Sequence, residues 1–309
     1  MNPTSPRVRL LTAVALVVTT ALTGCATQYP GSQASTPAAS GSATLVVGSQ
    51  QYYSNEIIAE LYAQALEAGG YKVDRQFQIG QREVYLPDLE AGKIDIMPEY
   101  SGNLLQYYDK STQAKSSDEV LTALEDALPD GLRPLMAASA TDQDAYNVTS
   151  ELASQYGLAS LADLAKVPGP LKVAANSEFA TRPYGPQGLK QFYGVDVTVV
   201  PVEDSGGPLT VKALKNGDVQ TADIYSADPS IAANGFVTLT DPKNMILPQN
   251  VVPIVDSKVD SNASKIIDGV SAKLDTPALI ALNARSVNEQ ASSATIAADW
   301  LSQQGLVKK

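Results

Sequence analysis

A fragment that occurs twice limits what this chain can fold into. Leu89, Gly92, Tyr100 and Ser101 are matched in type and spacing by Leu214, Gly217, Tyr225 and Ser226. Upstream, Tyr71 and Val73 have counterparts in Tyr193 and Val195, and the run around Leu45 and Val47 resembles that around Leu171 and Val173. One matched pair is noise, but several in the same order predict two similar α/β lobes. The run at 94–97 reads as a short buried strand stopped by Pro98, with Tyr100 delivered on a turn that contains Gly102. In open α/β sheets ligands bind outside the carboxyl ends of strands, so two lobes with a tyrosine at each rim predict a cleft between them.

The elements around these strands follow a βαβ order. A β-branched strand at 44–47 runs into Gly48-Ser49. Ile57, Ile58, Leu61, Tyr62, Ala65 and Leu66 then recur at helical spacing, with Ser54 or Asn55 placed to cap the helix and Gly69-Gly70 to end it. The pattern predicts a strand at 71–77, a short helix at 84–90 interrupted by Pro87, a helix at 118–128 and a strand at 133–138. A polar segment at 140–148 is the expected first crossing between lobes, and the second lies near 247–253. Between them come a helix start at 160–164, strands at 171–174 and 197–202, and a Pro/Gly-rich loop at 178–188. Beyond Asn262 the apolar periodicity is helical, and these helices are expected to close the first lobe. The expected organisation is α/β: one lobe from 44–140 plus 251–309, the other from 141–250, each a doubly wound sheet flanked by helices.

Composition removes several functions. Asp and Glu number 33 against 22 Lys and Arg, a net charge of −11 that argues against a nucleic-acid partner. The chain has no histidine, which excludes Ser-His-Asp triads, Cys-His pairs and HExxH zinc sites. A carboxylate-dependent envelope enzyme stays formally open, although spacing marks out no pair of acids. At the N-terminus, Arg7 and Arg9 precede an apolar run at 10–22 and then Leu22-Thr23-Gly24-Cys25, the pattern of a secretory leader over 1–24. That run is short for a bilayer span. Cys25 is the only cysteine, and with the small residues before it the segment resembles the lipobox of bacterial lipoproteins. The resemblance implies export, cleavage before Cys25 and a lipid that anchors the chain to the outer face of the bacterial cell membrane. The rest of 25–43 is uncharged and rich in Ser, Thr, Gly, Pro, Gln and Ala, a composition that behaves as a tether.

The aromatic set is skewed, with 14 tyrosines against 4 phenylalanines and 1 tryptophan. Tyr100, Tyr146 and Tyr225 fall at loop or strand-end positions. Ring faces aimed at a cleft attract cations, with about 0.5 to 2 kcal/mol for each good contact, and a carboxylate such as Asp144 adds charge complementarity.

Residues 44–62, the stretch 92–102, Asp144-Ala145-Tyr146 and the run from Asp223 to Asp228 together resemble the substrate-binding proteins of osmoprotectant ABC importers. The likeness covers nearly all of 44–309. It implies a two-lobed periplasmic-binding-protein fold, type II-like, with two hinge crossings, closing as a monomer on glycine betaine, choline, carnitine or a related solute. It also implies delivery to an ABC permease and its ATPase, with no enzymatic activity, cofactor or metal. Tyr100, Tyr146 and Tyr225 match tyrosines of the family's cation box, Asp144 a polar residue beside it, and Arg182 a carboxylate-binding arginine. The chain departs from the family in three places. Gln249 stands where many members have another box tyrosine, a role Tyr184 is placed to take. Gln50 replaces a lysine of betaine binders, and Asn103 replaces a threonine. The expected ligand is a compatible solute or quaternary ammonium compound; the alternative is an uncharged polar, sugar-like or aromatic ligand held by the amides of Gln249, Gln50 and Asn103.

Overall fold

The computed structural model describes residues 44–308. The leader, Cys25 and the tether lie outside the described residues. The chain opens with β1 (Leu45–Gly48), α1 (Tyr53–Ala68), β2 (Val73–Gln76), α2 (Arg82–Glu90), β3 (Ile96–Tyr100), α3 (Ser101–Tyr108), α4 (Ser117–Ala127) and β4 (Leu132–Pro134). It continues with β5 (Tyr146–Val148), α5 (Ser150–Tyr156), β6 (Leu171–Ala175), α6 (Pro186–Tyr193), β7 (Val197–Pro201), α7 (Pro208–Lys215), β8 (Thr221–Asp223), α8 (Ser230–Ala233) and β9 (Val237–Thr238). It then returns through β10 (Val251–Asp256) to α9 (Ser261–Ser271), α10 (Thr276–Glu289) and α11 (Ser293–Gln303).

The described strands form two five-stranded sheets, ordered β2-β1-β3-β10-β4 and β7-β6-β8-β5-β9. The repeat in the sequence is thus a repeat in topology. β1 runs parallel to β2 and β3, as β6 does to β7 and β8. The sheets are mixed rather than purely doubly wound, because β10 lies antiparallel to β3 and β5 antiparallel to β8. Each of these strands is the one that arrives from the other lobe. β3 and β8 run toward the interface between lobes, so a strand that enters from that interface runs against them, and antiparallel pairing is the result. Tyr146, Asn147 and Val148, expected in the first crossing, are therefore a central strand of the second sheet.

Alternation along the strands builds a core on both faces of each sheet. In β10, Val251 and Val255 pack with α1 and the C-terminal helices, while Val252 and Ile254 pack on the opposite face with Leu86, Leu104 and Leu124. Helix α1 buries Ile57, Ile58, Leu61 and Leu66 against the first of these faces, with α9, α10 and α11 completing it. Each such aliphatic side chain contributes roughly 1.5 to 3 kcal/mol by leaving water. In the second lobe Val173 and Ala175 face one cluster and Ala174 the other.

Four local expectations are corrected, the last of them at Gly102. Pro98 does not stop its strand; it sits inside β3 opposite Pro253 of β10. Two prolines cannot exchange N–H groups, and both carbonyls point away from the shared ladder: Pro98 O accepts from Asn55 Nδ2 (3.0 Å) and Pro253 O from Leu135 N (2.9 Å). Such a non-hydrogen-bonded pair needs no amide donor, so proline is tolerated there. Pro87 lies within α2 without ending it. Neither Ser54 nor Asn55 caps α1, whose N-cap is Tyr52 with no side-chain hydrogen bond; Asn55 is buried and ties the loop after β1 to β3.

Gly102 belongs to the first turn of α3 rather than to a loop. The first three amides of that helix have no partner within it. Ser101 N donates to Asn250 O (3.0 Å), Gly102 N to Pro248 O (3.1 Å) and Asn103 N to Gln249 Oε1 (2.8 Å). This contact with the second crossing is tight: a Cβ on Gly102 would lie 2.6 Å from Pro248 O and 2.7 Å from Leu247 Cβ. Gly102→Ala is therefore expected to destabilise the protein by about 1 to 3 kcal/mol through overpacking. Urea denaturation measures it, and an unchanged midpoint would show that the crossing yields freely.

Candidate functional site

The loops that follow β1, β2, β3, β6 and β8 meet the first crossing around one small cavity between the lobes, of about 30 Å³. Its position follows from strand direction, since parallel strands in both sheets direct their carboxyl ends to the same region. Seven of the residues singled out from the sequence line it: Gln50, Tyr100, Asn103, Asp144, Arg182, Tyr184 and Tyr225. Two do not. Tyr146 is fully buried on β5, its hydroxyl donating to Tyr184 O (2.8 Å) and its ring 5.6 Å from that of Phe179. It supports the wall that Phe179 and Tyr184 form without facing the cavity. Gln249 is also fully buried, and its amide pairs with that of Asn103, Nε2 donating to Asn103 Oδ1 at 2.7 Å. The second crossing holds it against α3.

The aromatic wall has a member that pattern reading missed. Tyr52, just before α1, places its ring 6.3 Å from Tyr100 in a near-parallel stack and 5.1 Å from Tyr225 edge-on. Tyr52 and Tyr100 come from the first lobe and Tyr225 from the second, so the three rings join across the interface. Burial holds all three phenols above their ordinary pKa, which leaves them neutral with their π faces intact. The segment after β1 was the available signal for Tyr52, because it lies at the carboxyl end of a parallel strand next to β3, whose last residue is Tyr100.

Charge in the cavity is arranged unevenly. Arg82 lines it, but its guanidinium forms a two-pronged pair with Glu99, Nε to Oε1 at 2.9 Å and Nη2 to Oε2 at 2.8 Å. Tyr85 and the amide of Tyr100 also donate to Glu99, and Gln50 Nε2 lies 3.4 Å from Oε2. Arg182 reaches across the lobes to Glu83, with Nη1 to Oε1 at 2.9 Å. Both arginines are thus engaged by carboxylates outside the lining. Four lining acids have no such cation: Asp142, Asp144, Glu178 and Asp223. Asp142 and Asp144 stand two apart on an extended segment and so face the same way, a spacing by which Asp142 was findable. Asp223 ends β8 two residues before Tyr225. Burial raises the Glu178 carboxyl, and burial followed by the neighbouring Asp144 charge raises that of Asp223 well above the carboxylate range.

Asp142 joins the lobes, accepting from Ala227 N at 2.9 Å and Ser54 Oγ at 3.2 Å. Burial pushes its carboxyl up to about 7. In the unfolded chain an aspartate titrates near about 3.9. Between these values the folded protein keeps a proton that the unfolded chain lacks, so this contribution to stability is complete at low pH and is lost as pH rises through about 7. Asp142→Asn is expected to flatten that decline: relative to the parent it gains stability at pH values above about 7 compared with about pH 4. Urea denaturation at both ends of the range checks it; a parent–variant difference independent of pH would place the Asp142 carboxylate in a solvated setting.

Residues 43–303 match the family model described as the substrate binding domain of ABC-type glycine betaine transport system. The glycine betaine-binding protein YehZ of Escherichia coli is 27% identical over 277 residues, covering 85% of this chain and 91% of that protein. A glycine-betaine-binding protein of Pseudomonas aeruginosa is 28% identical, covering 85% of this chain and 89% of its own. Among solved structures, that of a glycine betaine/carnitine/choline ABC transporter superimposes with a TM-score of 0.69 at 22% identity, covering 85% of this chain and 99% of that one, a likeness of fold. The strand order, the cleft between two lobes and the match across nearly the whole described region agree: the chain belongs to the family of substrate-binding domains of ABC-type glycine betaine transport systems.

Proposed function

We propose that this chain is the exported, lipid-anchored receptor of an ABC importer, holding a small compatible solute or a quaternary ammonium compound of the choline or betaine type between its lobes. The observation that carries the reading is the contact of Tyr52, Tyr100 and Tyr225 across the interface, beside uncompensated acids. Aromatic faces and negative charge in a desolvated cleft are what an organic cation requires. The uncharged alternative loses its main support, because the amides of Gln249 and Asn103 bond each other. Residues 44–140 with 251–309 move as one lobe and 141–250 as the other, hinged at the two crossings and working as a monomer with a permease and its ATPase. On this reading the chain is a solute receptor and not an enzyme, and it has no histidine to serve a triad or an HExxH site. No helix among the described residues is long and apolar enough to cross a membrane. Retention at the membrane is assigned to lipid on Cys25, on the lipobox-like segment before it.

Two experiments follow. Tyr100→Ala and Tyr225→Ala are each expected to weaken binding of choline or glycine betaine by about thirtyfold, while Tyr→Phe at either position costs far less. Calorimetric titration reads this, and alanine variants that bind like the parent would remove the two rings from the site. Cys25→Ala is expected to shift the protein from the membrane to the soluble fraction, and unchanged membrane retention on fractionation would contradict the anchor.

A further inference from the structure

The carboxyl groups of Asp144 and Asp223 line the cavity with acceptor oxygens to which a trimethylammonium head can donate no hydrogen bond. Both side chains are more than nine-tenths buried, at 7% and 5% exposure, and both line the cavity. Asp144 Oδ2 accepts from Asn103 Nδ2 at 2.6 Å and Asp223 Oδ1 from Ala145 N at 3.0 Å. Among the described residues no donor other than the opposing carboxyl reaches the second oxygen of either group. Asp142, by contrast, has a donor on each oxygen. Arg82 and Arg182 approach from the first and second lobes but are held by Glu99 and Glu83, and Glu178 adds a third acid from the turn after β6. The phenols of Tyr184 and Tyr225 face the pair and are neutral.

We propose that the Asp144–Asp223 pair is a seat for an organic cation that carries N–H donors, a protonated amine rather than a fully methylated ammonium. The proposal rests on the receptor reading above and narrows its ligand class. Two carboxyl groups in contact in a buried site hold one proton between them, because both cannot ionise side by side. A cation seated there replaces that proton with its own charge. A quaternary ammonium brings charge but no donor and leaves the free oxygens unpaired, which is costly in a buried site. A protonated amine brings both, with its methyl or methylene groups left against Tyr52, Tyr100 and Tyr225. The proton on Asp223 leaves to solvent as the cation binds, so affinity rises with pH from the ordinary carboxylate range upward.

The test is calorimetric titration of the whole exported chain with choline, N,N-dimethylethanolamine and ethanolamine, cations of one skeleton that differ in their N–H count. Buffers of different ionisation enthalpy report proton release. Dimethylethanolamine is expected to bind at least about tenfold more tightly than choline, with close to one proton released for each cation bound. Asp223→Asn, its fold verified by circular dichroism, is expected to bring the series within about threefold and to abolish the release. Should that variant fail to fold, the preference and the proton release of the parent decide the matter alone. Choline binding as tightly as dimethylethanolamine without proton release overturns the seat and leaves the receptor reading in place. Failure of all three cations and of glycine betaine to bind overturns both.

Discussion

The amides of Ser101, Gly102 and Asn103 need acceptors outside α3, and the second crossing supplies all three. Much of the cleft depends on this contact. It holds the end of β3, and with it the ring of Tyr100, at a set distance from the crossing. It consumes the side chain of Gln249, which for that reason pairs with Asn103 instead of facing a ligand. It also requires glycine at position 102, because no side chain fits between α3 and Pro248. The crossing leads directly into β10 beside β3, so the crossing and one wall of the cavity are a single packed unit.

Buried charge is treated in two ways. Glu99 is completely enclosed, yet it receives Arg82 in two-pronged geometry together with a phenol and a backbone amide, so the pair is neutral and its lone pairs are used. Removing either partner would leave an isolated buried charge, the costly case. The acids on the far side of the cavity receive fewer donors and no cation. A pocket with one saturated wall and one unsaturated wall is polarised, and an organic cation is the complement of the unsaturated one.

Beyond the aromatic contact, polar side chains join the lobes. Arg182 meets Glu83, a residue half exposed at 50%, and Tyr53 meets Asp228 at 2.7 Å. Gln51 meets Ser205 at 3.0 Å. Polar, partly solvated contacts between lobes are more easily exchanged for water than an apolar seam would be.

The sequence by itself determined the architecture in outline, because periodicity and internal repetition are local or nearly local properties. Helical spacing located α1 and the C-terminal helices, and the doubled fragment foretold two similar α/β lobes with a tyrosine at the rim of each. It also brought Tyr100, Tyr225, Asp144, Gln50, Asn103, Arg182 and Tyr184 into view as cavity residues. Tertiary structure alone decided the rest. Pro98 persists inside β3 because its partner across the ladder is another proline, a pairing invisible until β10 returns from the second lobe. Tyr146 lies behind the wall and Gln249 in the crossing because sheet register and helix docking, not residue type, orient their side chains. Tyr52 meets Tyr225 only when the two lobes face each other, and Asp144 meets Asp223 only when β5 pairs with β8; a contact between distant segments leaves no period in the chain to read.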